Sequence, residues 1–141
     1  MEQLIEFAGN HGALVAGFAG IILLLAWTEI ARRTRGYTEL TPMQAVQKIN
    51  QGQTTVVDIS TAANFSSGHL ADSKHIALSR FSKPDPEIEK LTSSPLLVVC
   101  KNGQTAHQAA AKLVKLGAAD VAVLKGGVTQ WAADQYPLSC K

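Results

Sequence analysis

Cys100 ends the apolar run Leu96-Leu97-Val98-Val99, and a mostly polar loop with one glycine, Lys101-Asn102-Gly103-Gln104, separates it from an alanine-rich segment. Read locally, this is a strand, a turn and a helix opening at Thr105 or Ala106. Successive backbone NH groups in such a turn can converge on one centre, and the positive end of the helix dipole adds to them. Negative charge on a sulfur held there is stabilised, and the thiolate is the nucleophilic form of cysteine. A second reading stands beside it on the loop alone: a small buried hydrophobe closing a core strand.

The elements that must position this thiol alternate along the chain. Thr41-Pro42 reads as a cap and first turn of a helix running to Asn50, with Gln51-Gly52 ending it. Thr54 to Ile59 is a β-branched run, hence a core strand with Asp58 at its carboxyl end. Asn64 to Leu70 reads as a short helix or turn closed by Gly68, and His75-Ile76-Ala77 as a brief extended piece. Asp85-Pro86 starts a helix through Leu91, and a longer helix from about Thr105 to Leu116 ends at Gly117. Val121 to Leu124 is a short buried strand, followed by Lys125-Gly126-Gly127 and a helical piece from Val128 to Asp134. Strands alternating with helices predict an α/β domain, a parallel sheet covered by helices on both faces. Asp58, Cys100 and Lys125 all end predicted strands, so they are expected at one edge, where functional groups of such sheets gather.

Composition narrows the chemistry. With 141 residues, 46% hydrophobic and a net charge of +2, the chain has room for one domain and an appendage. No basic stripe interleaved with aromatics points to nucleic acid. The two cysteines do not make a disulfide framework, and no CxxC or Cys/His cluster has zinc spacing, so no metal is expected.

The appendage is amino-terminal. From Phe7 to Thr28 no side chain is charged, and as a helix this run is about 33 Å long, enough to cross a bilayer. A buried core helix has the same composition. A signal peptide does not fit, because Glu2 and Glu6 precede the apolar run while Arg32, Arg33 and Arg35 follow it. The expected organisation is a transmembrane helix at 1–29, a basic juxtamembrane linker at 30–40 that meets lipid head groups, and a soluble domain at 41–141. The arginines place that domain in the cytoplasm and the amino terminus outside, a single-pass topology. Gly9, Ala13 and Gly17, with Gly12, Ala16 and Gly20, recur at four-residue spacing and would form one small-residue face where a second helix approaches closely. That face is expected to dock an intramembrane partner, either another protein or a second copy.

With these pieces in order, residues Thr41 to about Leu138 resemble a rhodanese, the single-domain sulfurtransferase module. The resemblance is carried by Val56-Val57-Asp58, by Phe65-x-x-Gly68-His69-Leu70, by Val98-Val99-Cys100-x-x-Gly103 and by Leu124-x-Gly126-Gly127-x-x-x-Trp131. An anchor followed by one such domain is similar to membrane-attached rhodanese-like proteins of Gram-negative bacteria. The resemblance implies that Cys100 takes sulfane sulfur from a donor, holds it as a persulfide and passes it to a nucleophilic acceptor. The loop residues Lys101, Asn102, Gly103, Gln104, Thr105 and Ala106 would cradle that sulfur, with Asp58 and Lys125 in support and no metal or organic cofactor.

Departures from the family pattern qualify that expectation. The arginine usual five positions after the cysteine is Thr105, the one usual in the first strand signature is Ser60, the glutamate before Phe65 is Asn64, and the usual Pro-Gly is Ala71-Asp72. A lost guanidinium fork weakens anion binding, so thiosulfate is expected to be a poor donor and a protein persulfide a better one, with Lys101 or Lys125 supplying charge. The phosphatase branch carries a longer loop and an arginine six positions after the cysteine, where this chain has Ala106. The competing expectation is an interaction protein with reduced or no catalysis, docked by its small-residue helix onto a membrane complex such as an insertase or translocon. Among single residues, His69 reads as a structural turn residue, His75 as one with no evident partner, His107 as facing solvent rather than sulfur, and Trp131 as a core anchor. Cys140 reads as an exposed terminal thiol, or else as a resolving thiol for the persulfide.

Overall fold

The computed structural model describes residues 1–140, in two compact units, one of Met1–Arg35 and one that begins at Gly36. The first holds α1 (Glu2–Asn10) and α2 (Gly12–Arg33). The single helix expected across Phe7 to Thr28 is therefore broken at His11, whose backbone sits at φ −126 and ψ 44. Gly9 and Gly12, poor helix formers, flank the break, and the Phe7 ring stacks on the His11 ring with centroids 4.6 Å apart. α2 carries the apolarity: its mean hydropathy over an 18-residue window is 2.1, and none of its side chains is buried. Arg32 and Arg33 occupy its last turn, where cations complement the helix dipole.

The second unit holds β1 (Thr38–Leu40), α3 (Pro42–Asn50), β2 (Thr55–Asp58), α4 (Ala62–Ser67), β3 (Lys74–His75), a 3-10 turn (Leu78–Ser82), α5 (Pro86–Leu91), β4 (Leu96–Val99), α6 (Ala106–Lys115), β5 (Val121–Leu124) and α7 (Gly127–Ala133). The five strands pair in parallel in the order β1-β5-β4-β2-β3. The stretch expected as a linker at 30–40 is thus divided, with Ile30 to Arg33 completing α2 and Thr38 to Leu40 forming an edge strand beside β5. Thr-Glu-Leu is too short and polar to announce a strand, and its pairing with Val121 to Leu124 is what makes it one.

β4 is the centre of the sheet, and all four of its residues are fully buried. Alternation sends Leu96 and Val98 to one face, with Val57, Ile59, Ile88 and the alanines of α6, and Leu97 and Val99 to the other, with Ala45, Leu70 and Trp131. Continuous apolar strands are what a doubly covered parallel sheet requires.

Side-chain caps anchor three helices locally, α4 through the Asn64 N–H donating to Thr61 Oγ1 at 3.3 Å. Thr41 and Gln44 form a reciprocal box: the Gln44 N–H donates to Thr41 Oγ1 at 3.4 Å and the Thr41 N–H to Gln44 Oε1 at 3.0 Å. Thr41→Ala should lower stability by about 1 kcal/mol, read as a shifted urea midpoint at unchanged slope. Asp85 caps α5 through the Glu87 N–H at 3.0 Å and takes two donors of Arg80, at 2.6 and 2.9 Å. The guanidinium holds the Asp85 carboxyl below its ordinary range. A depressed carboxyl contributes stability above its unfolded value and loses it as pH falls through the folded one. Melting followed below about pH 4 should therefore fall less steeply in Asp85→Asn than in the native chain.

Candidate active site

β4 delivers Cys100 to the carboxyl edge of the sheet, where its side chain is only 2% exposed. The loop then curls over the sulfur. Gly103, at φ +85, turns its backbone so that its N–H donates to Cys100 Sγ at 3.0 Å. Asn102 braces the turn, its Oδ1 accepting the Gln104 N–H at 3.1 Å and lying 3.9 Å from Sγ. The next helix, α6, opens at Ala106 after Thr105, which makes no side-chain cap bond, and the Gln108 N–H donates to the Thr105 carbonyl at 3.1 Å.

The loop is held from behind by α7. The Val128 N–H donates to the Cys100 carbonyl at 2.9 Å, and the Thr129 N–H and hydroxyl both donate to the Lys101 carbonyl at 2.9 Å. The first turn of α7 thus spends its unpaired donors on the loop's carbonyls and orients that backbone. The clamp needs contact closer than a side chain allows. A Cβ on Gly127, at φ +61, would lie 2.2 Å from the Cys100 carbonyl oxygen and 2.7 Å from the Gly103 nitrogen. A Cβ on Gly103 would lie 2.8 Å from the Gly126 nitrogen. Gly127, Val128 and Thr129 are site residues to which the sequence reading assigned no role. The signal was the Gly126-Gly127 pair, which carries meaning only once the close approach is seen. Trp131, 6% exposed, anchors α7 by donating its indole N–H to the Pro137 carbonyl at 3.0 Å.

Among the described residues, neither of the two expected in support is hydrogen-bonded to the sulfur. Asp58 is fully buried, and its Oδ1 accepts the Ser60 N–H at 2.9 Å and the Ser60 hydroxyl. Strand alternation puts it on the face of Val56, whereas Cys100 packs with Val57 and Ile59. It shapes the exit of β2. Lys125 does sit at the expected edge, but its backbone N–H joins β1 through the Leu40 carbonyl at 2.8 Å and its side chain is exposed. The nearby cation is Lys101, whose Nζ lies 3.2 Å from Asn64 Oδ1. It lines a cavity of about 160 Å³ with Ser60, Asn64, Ser67, Thr129 and Leu138. Of the loop, Lys101, Asn102, Gln104 and Thr105 are exposed, while Gly103 and Ala106 are buried.

His107 corrects a further expectation. It is half-buried and paired rather than simply solvent-facing: with 30% of its side chain exposed, its Nδ1 lies 3.2 Å from the Tyr37 hydroxyl and its Nε2 3.1 Å from Glu39 Oε2, tying α6 to β1. His75 does have a partner, the Ser60 carbonyl at 2.7 Å. His69 is the structural residue expected, stacked on Phe65 and bonded to its carbonyl. Cys140 is exposed, its Sγ 3.6 Å from the Ser67 carbonyl. In the first unit, Gly9 belongs to α1, so the expected six-residue face loses it to the break at His11. Gly12, Ala13, Ala16, Gly17 and Gly20 share α2, and the space beside its three glycines is open.

Residues 41–134 match the model of the rhodanese-like domain. The chain is 30% identical over 139 residues to the uncharacterized protein YibN of Escherichia coli strain K12, covering 98% of this chain and 97% of that one. It is 36% identical over 101 residues to the thiosulfate sulfurtransferase GlpE of Pseudomonas putida, covering 72% of this chain and 89% of that one. Among solved structures, a rhodanese-related protein from Thermoplasma volcanium superposes with a TM-score of 0.65 at 22% identity, over 74% of this chain and all of its own, a likeness of fold.

Proposed function

The chain belongs to the rhodanese-like family of sulfurtransferase domains, and on that premise we propose that it carries sulfane sulfur as a persulfide on Cys100. The observation that carries the reading is the Gly103 N–H donating to a buried Sγ at 3.0 Å, inside a loop whose carbonyls are tied back to α7. A cysteine that merely filled the core would need neither the clamp nor the glycines.

The thiolate of Cys100 attacks the outer sulfur of the donor. The donor's sulfur–sulfur bond breaks and its electron pair leaves with the remainder, sulfite in the case of thiosulfate or a thiolate in the case of a persulfide. Cys100 then holds the sulfur as Cys100–S–S⁻, with backbone donors stabilising the charge. A nucleophilic acceptor attacks the terminal sulfur, and the Cys100 thiolate is restored. The domain performs this beside a membrane: α2 is the single span, and Arg32, Arg33 and Arg35 keep the domain cytoplasmic. Support for the span is the length and hydropathy of α2 and the absence of any buried residue in it.

The test is the intact mass of the full chain after exposure to thiosulfate and, separately, to a protein persulfide. One added sulfur, discharged by cyanide or a thiol, is the expected result, with more complete loading from the persulfide. An unmodified Cys100 under both donors would overturn the reading. Thr105→Arg places a guanidinium at the exposed rim of the loop, where a charge-assisted bond to the donor's sulfonate becomes available. It should raise kcat/KM for thiosulfate about tenfold while leaving loading by a persulfide unchanged.

A further inference from the structure

The chain enters the soluble unit at the edge opposite Cys100. β1 runs parallel to β5, with Thr38 beside Ala122 and Leu40 beside Leu124, so Thr38 lies at the amino edge of the sheet while Cys100 lies at the carboxyl edge. Gly36 already rests on the last turns of α6, where a Cβ would come 2.8 Å from Val114 Cγ1. Since α2 ends at Arg33, three residue steps join it to Gly36, a reach of no more than about 11 Å.

What α6 presents beside that entry is basic and apolar. Lys112 and Lys115 are in its last turn, and Leu116 follows with 47% of its surface exposed. With Lys83 and Ile88 they line an open groove of about 460 Å³. Of the acidic residues in the groove, Asp85 is occupied by Arg80, which leaves Glu89 against three lysines. Asp120, which precedes β5, is paired with Lys48 at 2.8 Å. Cations at a helix end complement its dipole, but that accounts for neither Lys83 nor the exposed leucine.

We infer that this end of α6 and its groove rest on anionic phospholipid head groups, so that the Cys100 edge faces away from the bilayer. The inference rests on the membrane-anchor reading above. A tether of about 11 Å keeps the lysines near one Debye length of the surface, where a polybasic patch is attracted and salt weakens it. Leu116 enters the interface between them. The loop and its cavity are then open to donors and acceptors arriving from the aqueous phase.

The test uses the full chain in vesicles of phosphatidylcholine with phosphatidylglycerol, and in vesicles of phosphatidylcholine alone. A fluorophore is placed on Leu116→Cys, Lys125→Cys or Leu24→Cys in a Cys100→Ser, Cys140→Ser background, and quenching by doxyl-labelled lipid is read. Leu24→Cys reports the anchor; if it is not quenched, the span itself fails. With it quenched, the expected result is quenching at Leu116→Cys in anionic vesicles only, relieved by high salt, and none at Lys125→Cys. Lys112→Gln and Lys115→Gln should each lower the docked-to-free ratio about fivefold. As a check without cysteine variants, Lys112 and Lys115 of the native chain should resist amine acetylation in anionic vesicles and lose that protection in salt. A quenched Leu24→Cys with Leu116→Cys unquenched, or quenched equally in both lipids, overturns the inference. So does protection found only in native membranes and accompanied by protein crosslinks, which would assign the surface to a protein partner.

Discussion

Cys100→Ser should abolish sulfur loading from every donor while leaving the fold in place. The oxygen has nearly the sulfur's position and can accept the same Gly103 N–H, which donates to Sγ at 3.0 Å in the native chain, so the loop keeps its bond. The serine hydroxyl is not ionised near neutral pH, and among the described residues no histidine or carboxylate is hydrogen-bonded to Sγ, His107 being bonded to Tyr37 and Glu39. The sulfur–sulfur bond of a persulfide cannot form at an oxygen. Stability should change by about 1 kcal/mol or less, since the site offers the hydroxyl a hydrogen-bond donor. Turnover with cyanide and intact mass check the first expectation, and a urea titration the second. Sulfur still found on the variant would have to sit on the exposed Cys140, and a peptide map after digestion would show it there.

Gly127→Ala should cost about a hundredfold in turnover with Cys100 still present. Its Cβ would fall 2.2 Å from the Cys100 carbonyl oxygen and 2.7 Å from the carbonyl carbon of Lys101, contacts no side-chain rotation relieves because both are backbone. The positive φ of +61 adds strain, so a stability loss of about 1–3 kcal/mol accompanies it. Either α7 withdraws, freeing the Cys100 and Lys101 carbonyls, or the loop moves and the Gly103 N–H leaves the sulfur. A displacement of about 1 Å at a reacting centre is enough for a hundredfold loss. Single-turnover loading of the folded fraction, quantified beside its circular dichroism, measures it. Native loading in a folded Gly127→Ala chain would show that the clamp is packing rather than mechanism.

Much of the domain was legible in advance because its signals are local. Thr41-Pro42 and Asp85-Pro86 open helices at the expected residues, and Leu96 to Val99 is the buried strand its composition predicts. The misreadings share a cause. β1 is three residues long and exists by pairing with β5. His107 looked solvent-facing because Tyr37 and Glu39 lie about seventy residues away in sequence. Asp58 shares the sheet edge with Cys100, yet strand alternation turns it to the opposite face.

By itself the sequence determined which thiol stands at a strand's end, that a glycine turn and a helix start follow it, and that an apolar helix precedes the domain. Each of these follows from propensity, capping and periodicity within a few neighbouring residues. Only the tertiary structure decided that the first turn of α7 grips the Cys100 and Lys101 carbonyls, and that Gly127 must have no side chain for it to do so. It also decided that Lys101, not Lys125, lies by the cavity beside the loop. These depend on how closely distant segments approach across the sheet edge, to fractions of an ångström, and residue order carries no measure of that until the core between them has packed.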